Sequence, residues 1–233
     1  MNLACTNFDA HINFRAYKFF MTALRDRKAA KLRLDLMHAL QERLETRGLE
    51  EISARELAAA VDISEGTFFN HFPSKAALAF YFVQLWSIDA GFHARAAASR
   101  GARAAIEAIF SATAKEAQAH PRVMAEIIVL QARKPPQLEL RRIGPVERAL
   151  AFPGRADLDS LGDQGLPSLL PPLIDRAIRE GELPARTDRQ AAFLALVNVF
   201  FGVPLVLGPS APTRIGRAYR QQLDLVWKGL CHA

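Results

Sequence analysis

Residues 53–78 read Ser53-Ala54-Arg55-Glu56-Leu57-Ala58-Ala59-Ala60-Val61-Asp62-Ile63-Ser64-Glu65-Gly66-Thr67-Phe68-Phe69-Asn70-His71-Phe72-Pro73-Ser74-Lys75-Ala76-Ala77-Leu78. Ser53 stands three positions before Glu56, the spacing at which a hydroxyl caps an amide and a carboxylate reaches back. That pattern predicts a short helix over 54–61 with Leu57, Ala58 and Val61 facing inward. Asp62-Ile63-Ser64 breaks it, and Asp62 is expected in a left-handed conformation, which Asp tolerates better than most residues. Ser64 can cap a second short helix, from Glu65 to about Phe72. Pro73-Ser74 stops that helix and starts another, from Lys75 to about His93. Two short helices across a three-residue turn make a helix-turn-helix. Leu57, Ala58 and Val61 would hold the second helix at a fixed angle, with Ile63 and Phe68 plugging the gap. The second helix could then enter a DNA major groove about 12 Å wide.

Upstream, Leu32, Leu36, Leu40 and Leu44 recur every fourth residue, one apolar face of a helix over about 25–46 that Gly48 ends. Downstream, apolar periodicity and proline or glycine breaks predict helices over about 101–119, 123–133, 166–180, 187–207 and 213–230, with a broken helix over 137–150 and a long loop over 151–165. Thr187-Asp188-Arg189-Gln190 repeats the capping-box pattern ahead of the most apolar segment. No stretch reads as a strand, so the expected fold is all-α: a helix-turn-helix domain over 25–80 and a larger helical domain over 81–233. Residues 1–24 form an N-terminal extension, either a flexible arm or an over-extended start, because Met21 offers a second initiation point.

Half of the 233 residues are hydrophobic and 23% are charged, which argues for a sizeable core and against disorder. The net charge is +6, yet residues 21–75 carry equal numbers of acids and bases, so charge alone does not identify a nucleic-acid partner. The cluster Arg25 to Arg33 could grip phosphate or simply be a solvated face. Cys5 and Cys231 lie far apart in sequence, without the spacing of a metal site or a disulfide framework, which fits a reducing cytoplasm. The longest apolar stretch, 191–207, is interrupted by Asn198, Gly202 and Pro204 and reads as a buried core helix rather than a membrane span. The first twenty residues lack the arrangement of a secretion signal.

The segment 53–78 resembles the DNA-binding signature of the TetR family of repressors, most specifically from Gly66 to Lys75, and the likeness extends back to the helix of Leu32–Leu44. Arg179-Glu180-Gly181-Glu182-Leu183 is similar to the family's lead-in to its dimerisation helices. The resemblance implies that Thr67 would offer its hydroxyl and amide to a phosphate, and that His71 and Lys75 would contact phosphates. Ser53 and Arg55 would touch the backbone across the groove. Glu65, Gly66 and Asn70 occupy positions that meet base edges, with Ser64 capping the helix that carries them. Phe69 stands where many relatives have tyrosine and can make only apolar contact. Asp62 replaces the usual glycine of the turn.

The same resemblance implies double-stranded DNA with a palindromic operator, a second copy of the chain and a small-molecule effector as partners, with no membrane. The paired helices would carry Phe193, Leu194, Leu196, Val197, Phe200, Phe201, Leu223, Leu225, Val226 and Trp227. An effector pocket would lie among Trp86, Phe92, Phe110, Met124, Ile127, Ile128, Leu130, Phe193 and Phe200, with His93, Glu126, Gln131 or Asn198 as polar anchors. An enzyme is the alternative from another class. The sequence offers no catalytic triad spacing, no glycine-rich phosphate loop and no metal-ligand cluster, so no catalytic, cofactor or metal residue is assigned. A helix-turn-helix that has become an interaction module is the third reading.

Overall fold

The computed structural model describes residues 6–133, 141–208 and 210–232, with side chains from residue 21 onward. Among the described residues all regular structure is helical: α1 (Thr6–Leu44), α2 (Ala54–Ala60), α3 (Glu65–His71), α4 (Lys75–Ala97), α5 (Ala102–Ala119), α6 (Pro121–Ala132), α7 (Pro145–Ala151), α8 (Leu166–Arg179), α9 (Arg189–Leu207) and α10 (Ile215–His232). The expected start of α1 near Arg25 is corrected. With no glycine or proline between Thr6 and Leu44, nothing interrupts the helix, and it runs back through most of the presumed extension. Residues 1–5 of that extension, and 134–140 of the expected broken helix, lie outside the described residues.

Two apolar cores organise the chain. In the first, Leu36, Leu40 and Leu44 of α1 meet Leu57 and Ala58 of α2, Phe68 of α3 and Leu78 of α4, as the four-residue leucine spacing requires. Leu57 is fully buried, and truncating it to alanine would cost about 3 kcal/mol. This core continues into Val123 and Ile127 of α6 and Ile143 before α7. α4 likewise runs unbroken across the expected 80/81 boundary, so a rigid rod and shared packing join the two regions. The second core packs Ile106, Ile109 and Phe110 of α5 against Leu170, Leu196, Phe200, Tyr219 and Trp227. Phe110 meets Tyr219 edge-on at 5.0 Å, and the Tyr219 hydroxyl donates to the Phe200 carbonyl at 2.7 Å.

The segment Arg179–Leu183 acquires a physical role. Gly181 (φ +78°) turns the chain after α8, a conformation that favours glycine. The turn delivers the Glu182 carboxylate to the first amides of α5, Ala102 N at 2.5 Å and Arg103 N at 2.9 Å. An anion there satisfies amides that the helix leaves unpaired and complements its dipole.

Three local expectations need correction. Ser53 caps α2 by accepting from Glu56 N at 3.0 Å, but Glu56 does not return the bond. Its carboxylate turns to Arg43 (2.8 Å) and Arg47 on α1 and α1's trailing turn, because charge-assisted bonds outcompete a neutral amide. At α9 the cap is Asp188, not Thr187: its carboxylate accepts from Gln190 N at 2.8 Å and Ala191 N at 3.1 Å. α9 is also not a wholly buried core helix. By length and composition it could cross a membrane, yet its Ala192, Leu196 and Phe200 pack inward while Leu205 and Val206 are 69% and 82% exposed.

Candidate nucleic-acid interface

The turn between α2 and α3 closes as its residues dictate. Asp62 adopts φ +56°, and Ile63 N donates to the Ala58 carbonyl at 3.0 Å. The left-handed residue reverses the chain, and Ser64 then caps α3 through Thr67 N at 3.1 Å. α3 spans seven residues, about 10 Å, a length that suits a major groove about 12 Å wide. Phe68 is fully buried and Phe72 nearly so, and these two rings anchor α3 to the first core. The opposite face carries Glu65, Gly66, Phe69 and Asn70, all exposed. Phe69 is 48% exposed and rests edge-on against Phe68 at 5.3 Å. A Cβ on Gly66 would meet only the Ser64 hydroxyl at 3.8 Å, so that face is open.

The sequence-assigned residues thus divide into groups. Ser53, Arg55, Ser64, Glu65, Gly66, Phe69 and Asn70 are exposed, on α2, α3 and the caps that precede them. Thr67 is half-buried; its amide is bonded to Ser64 Oγ and its hydroxyl lies 2.9 Å from the same oxygen. That geometry corrects the expectation that its amide is free for a phosphate. His71 is half-buried against Arg33, Tyr81 and Arg141, and burial first, then the Arg33 and Arg141 charges, hold its pKa below 6.5 against the pull of Glu147. It is therefore mostly neutral at pH 7.

Lys75 is the second correction. Its ammonium points inward and donates to the carbonyls of Ile52 at 2.5 Å, Leu49 at 2.9 Å and Glu50 at 3.4 Å. As the first residue of α4 it would sit unfavourably at a positive helix end; three carbonyl oxygens supply the compensating negative dipoles. Lys75 thereby ties the 49–52 turn to α4 rather than presenting its donors outward.

The basic cluster of α1 also divides. Arg25, Arg27 and Lys28 are exposed, and Lys31 pairs with Asp35 at 2.7 Å. Arg33 is buried, bonded to both carboxylate oxygens of Glu147 at 2.6 and 2.7 Å. Tyr81 adds a third bond to Glu147 at 2.6 Å, completing a buried α1–α4–α7 network that sequence reasoning missed, because its partners lie 66 and 114 residues apart.

A cavity of about 290 Å³ lies between α4, α6, α8 and α9. It includes Trp86, Met124, Ile127, Gln131, Phe193 and Phe200 of the expected pocket. Phe92, Phe110, Ile128, Leu130, His93, Glu126 and Asn198 lie off it; Phe110 fills the second core, Asn198 is exposed, and Glu126 accepts a hydrogen bond from Leu49 N at 3.1 Å. The walls that sequence reasoning did not anticipate include Phe82 and residues 163–167, the loop end and first turn of α8, which only the α8 approach brings near α4.

Comparison with known proteins agrees with this geometry. Residues 36–81 match the family described as bacterial regulatory proteins, tetR family. The whole fold is similar to FadR of Thermus thermophilus, a TetR-family transcriptional repressor solved with lauroyl-CoA (20% identity, 85% of this chain and 94% of that one, TM-score 0.60). It is also similar to a tetR-family regulator of Shewanella sp. PV-4 (17% identity, 85% and 97% covered, TM-score 0.54). The TetR-family regulator PfmR, also of Thermus thermophilus, aligns as well (18% identity, 84% and 98% covered, TM-score 0.52). No curated protein matches the chain significantly.

Proposed function

We propose that this TetR-family transcriptional regulator acts in the cytoplasm as a homodimeric repressor that leaves a palindromic operator when a small molecule fills its C-terminal domain. The observation that carries the reading is the exposed α3 face of Glu65, Gly66, Phe69 and Asn70 anchored beneath by Phe68. Asn70 would read a base edge, Phe69 would meet a thymine methyl, and Ser53, Arg55, Ser64, Thr67 and His71 would line the phosphates beside them. Lys75 would act from below by holding the 49–52 turn in place. In this reading residues 25–80 are the reading head and 81–233 the sensing and pairing unit.

Pairing is supported by the apolar surface on α9 and α10. Leu194, Leu205, Val206 and Leu225 are each roughly half or more exposed, with Leu225 at 61%. A twofold arrangement would bury that surface and place two α3 helices on successive grooves. Coupling is supported by α6. Met124, Ile127 and Gln131 face the 290 Å³ cavity, whereas Glu126 holds Leu49 N and Arg133 pairs with Glu50 at 2.6 Å. A ligand that displaces α6 would therefore move the turn behind the reading head, shifting the population away from the DNA-competent spacing.

The test is a gel-shift of the full chain on its own upstream DNA over a salt series. A steep loss of affinity with salt is expected. Asn70→Ala should relax preference at one base position while sparing the others. Binding that ignores salt, or an Asn70→Ala variant with unchanged base preference, overturns the assignment.

A further inference from the structure

A second cavity, of about 310 Å³, shares Phe82 and Trp86 of its lining with the first. Its remaining walls come from α1 (Leu34, Met37), α5 (Ala112, Glu116) and the end of α7 (Leu150, Phe152). This volume is at the lower end for small-molecule sites. Most of the lining is apolar or aromatic, yet two carboxylates, Asp89 and Glu116, open onto it.

Their situations differ. Asp89 is neutralised by Arg155 at 2.5 Å, whose guanidinium also stacks over Phe92 at 4.5 Å, and His93 lies 3.7 Å from its other oxygen. Glu116 is half-buried and makes no side-chain hydrogen bond or ion pair among the described residues. Its surroundings supply no full counter-charge. His120 pulls towards ionisation, but its ring is paired to Glu45, and the Asp89 and Glu45 carboxylates oppose it. Burial is the largest influence, and it too raises the Glu116 pKa. His38 lines the mouth and is exposed. A part-buried carboxylate with no protein counter-charge favours a cation beside it. Trp86 and Phe82 add aromatic faces of the kind that attract cations.

We propose that this cavity is a second small-molecule site, taking a monocation with an apolar body, such as an aryl-substituted quaternary or protonated amine, with Glu116 as its counter-charge. The first cavity has a different character. Its one carboxylate, Asp163, is bonded to Arg148 at 3.2 Å and to Ile143 N at 3.1 Å, and the Gln84 and Gln164 amides donate to Arg141 O and Asp163, leaving the neutral Gln131 amide as its open polar group. The two cavities thus favour a neutral and a cationic guest respectively. Because Leu34 and Met37 belong to α1, a guest in the second cavity touches the reading head's own first helix; its effect on DNA rests on the function proposed above, whereas its binding does not.

The experiment titrates DNA-free full-length protein with benzyltrimethylammonium and with neopentylbenzene, its neutral analogue of the same shape, by ligand-observed NMR. The cation should bind more tightly than the neutral probe. Glu116→Gln should weaken the cation about tenfold and leave the neutral probe unchanged. Ala112→Leu, which fills the second cavity without touching charge, should weaken the cation as well, and Phe193→Ala in the first cavity should leave the cation unaffected. A cation affinity that survives both Glu116→Gln and Ala112→Leu, or that falls with Phe193→Ala instead, overturns the proposal, as does absence of cation binding. A gel-shift with saturating cation then reads the consequence for DNA separately.

Discussion

Lys75→Met separates two roles that one lysine could play. The substitution keeps the aliphatic stem and removes only the ammonium, which donates to the Ile52 carbonyl at 2.5 Å and the Leu49 carbonyl at 2.9 Å, with Glu50 more distant at 3.4 Å. A hydrogen bond to a charged group contributes about 1.5–3 kcal/mol, but these carbonyls are only part-buried and would regain water, which favours the low end for the pair. Relief of a cation at a helix N-terminus returns about 0.3–1 kcal/mol. The net loss is about 1 kcal/mol, or roughly 2–4 °C in Tm for a chain of this size. Urea unfolding measures the first effect. A gel-shift salt series measures the second: a phosphate-neutralising lysine contributes about 0.9 to the slope of log K against log salt, whereas an ammonium whose donors are turned inward contributes far less. The expected result is a less stable protein with a nearly unchanged slope. A variant as stable as the wild type whose slope drops by about 0.9 would show that the ammonium leaves its carbonyls for DNA, and the cradle argument would be wrong.

Glu147→Ala should destabilise by about 3–5 kcal/mol, since it strands Arg33 as a buried, unpaired cation; Arg33→Met with Glu147→Leu should recover much of that loss in urea unfolding, and an equally unstable double variant would refute the pairing account. His71 has a folded pKa below 6.5 because burial and neighbouring arginines disfavour its cation, so its share of stability is present above the unfolded value and is lost as pH falls through that region, at no more than about 1.4 kcal/mol per pH unit. His71→Gln should flatten unfolding measured between pH 7 and 5; an unaltered slope would place the titration elsewhere. Leu205→Glu with Val206→Glu should weaken self-association about a hundredfold by placing charge in an apolar contact, and sedimentation showing an intact dimer would exclude that face from the interface.

Local chemistry made the reading head legible in sequence. Ser53 and Ser64 cap the helices they precede, Asp62 takes the left-handed turn, and the four-residue leucine spacing of α1 buries the face it implies, because each depends on neighbours within a few residues. The all-α character followed for the same reason. Partners distant in sequence were invisible. Arg33 read as one of a basic cluster, either a phosphate grip or a solvated face, until Glu147 and Tyr81 enclosed it, and Lys75 looked outward until the 49–52 turn folded over its ammonium. Glu56 deserted its capping box for two arginines on another segment. A charged side chain goes to whichever partner the assembled chain brings within reach, so the amino-acid order determined the helices and their caps. Tertiary packing decided which charges face water, which face each other, and where two cavities open beside Trp86.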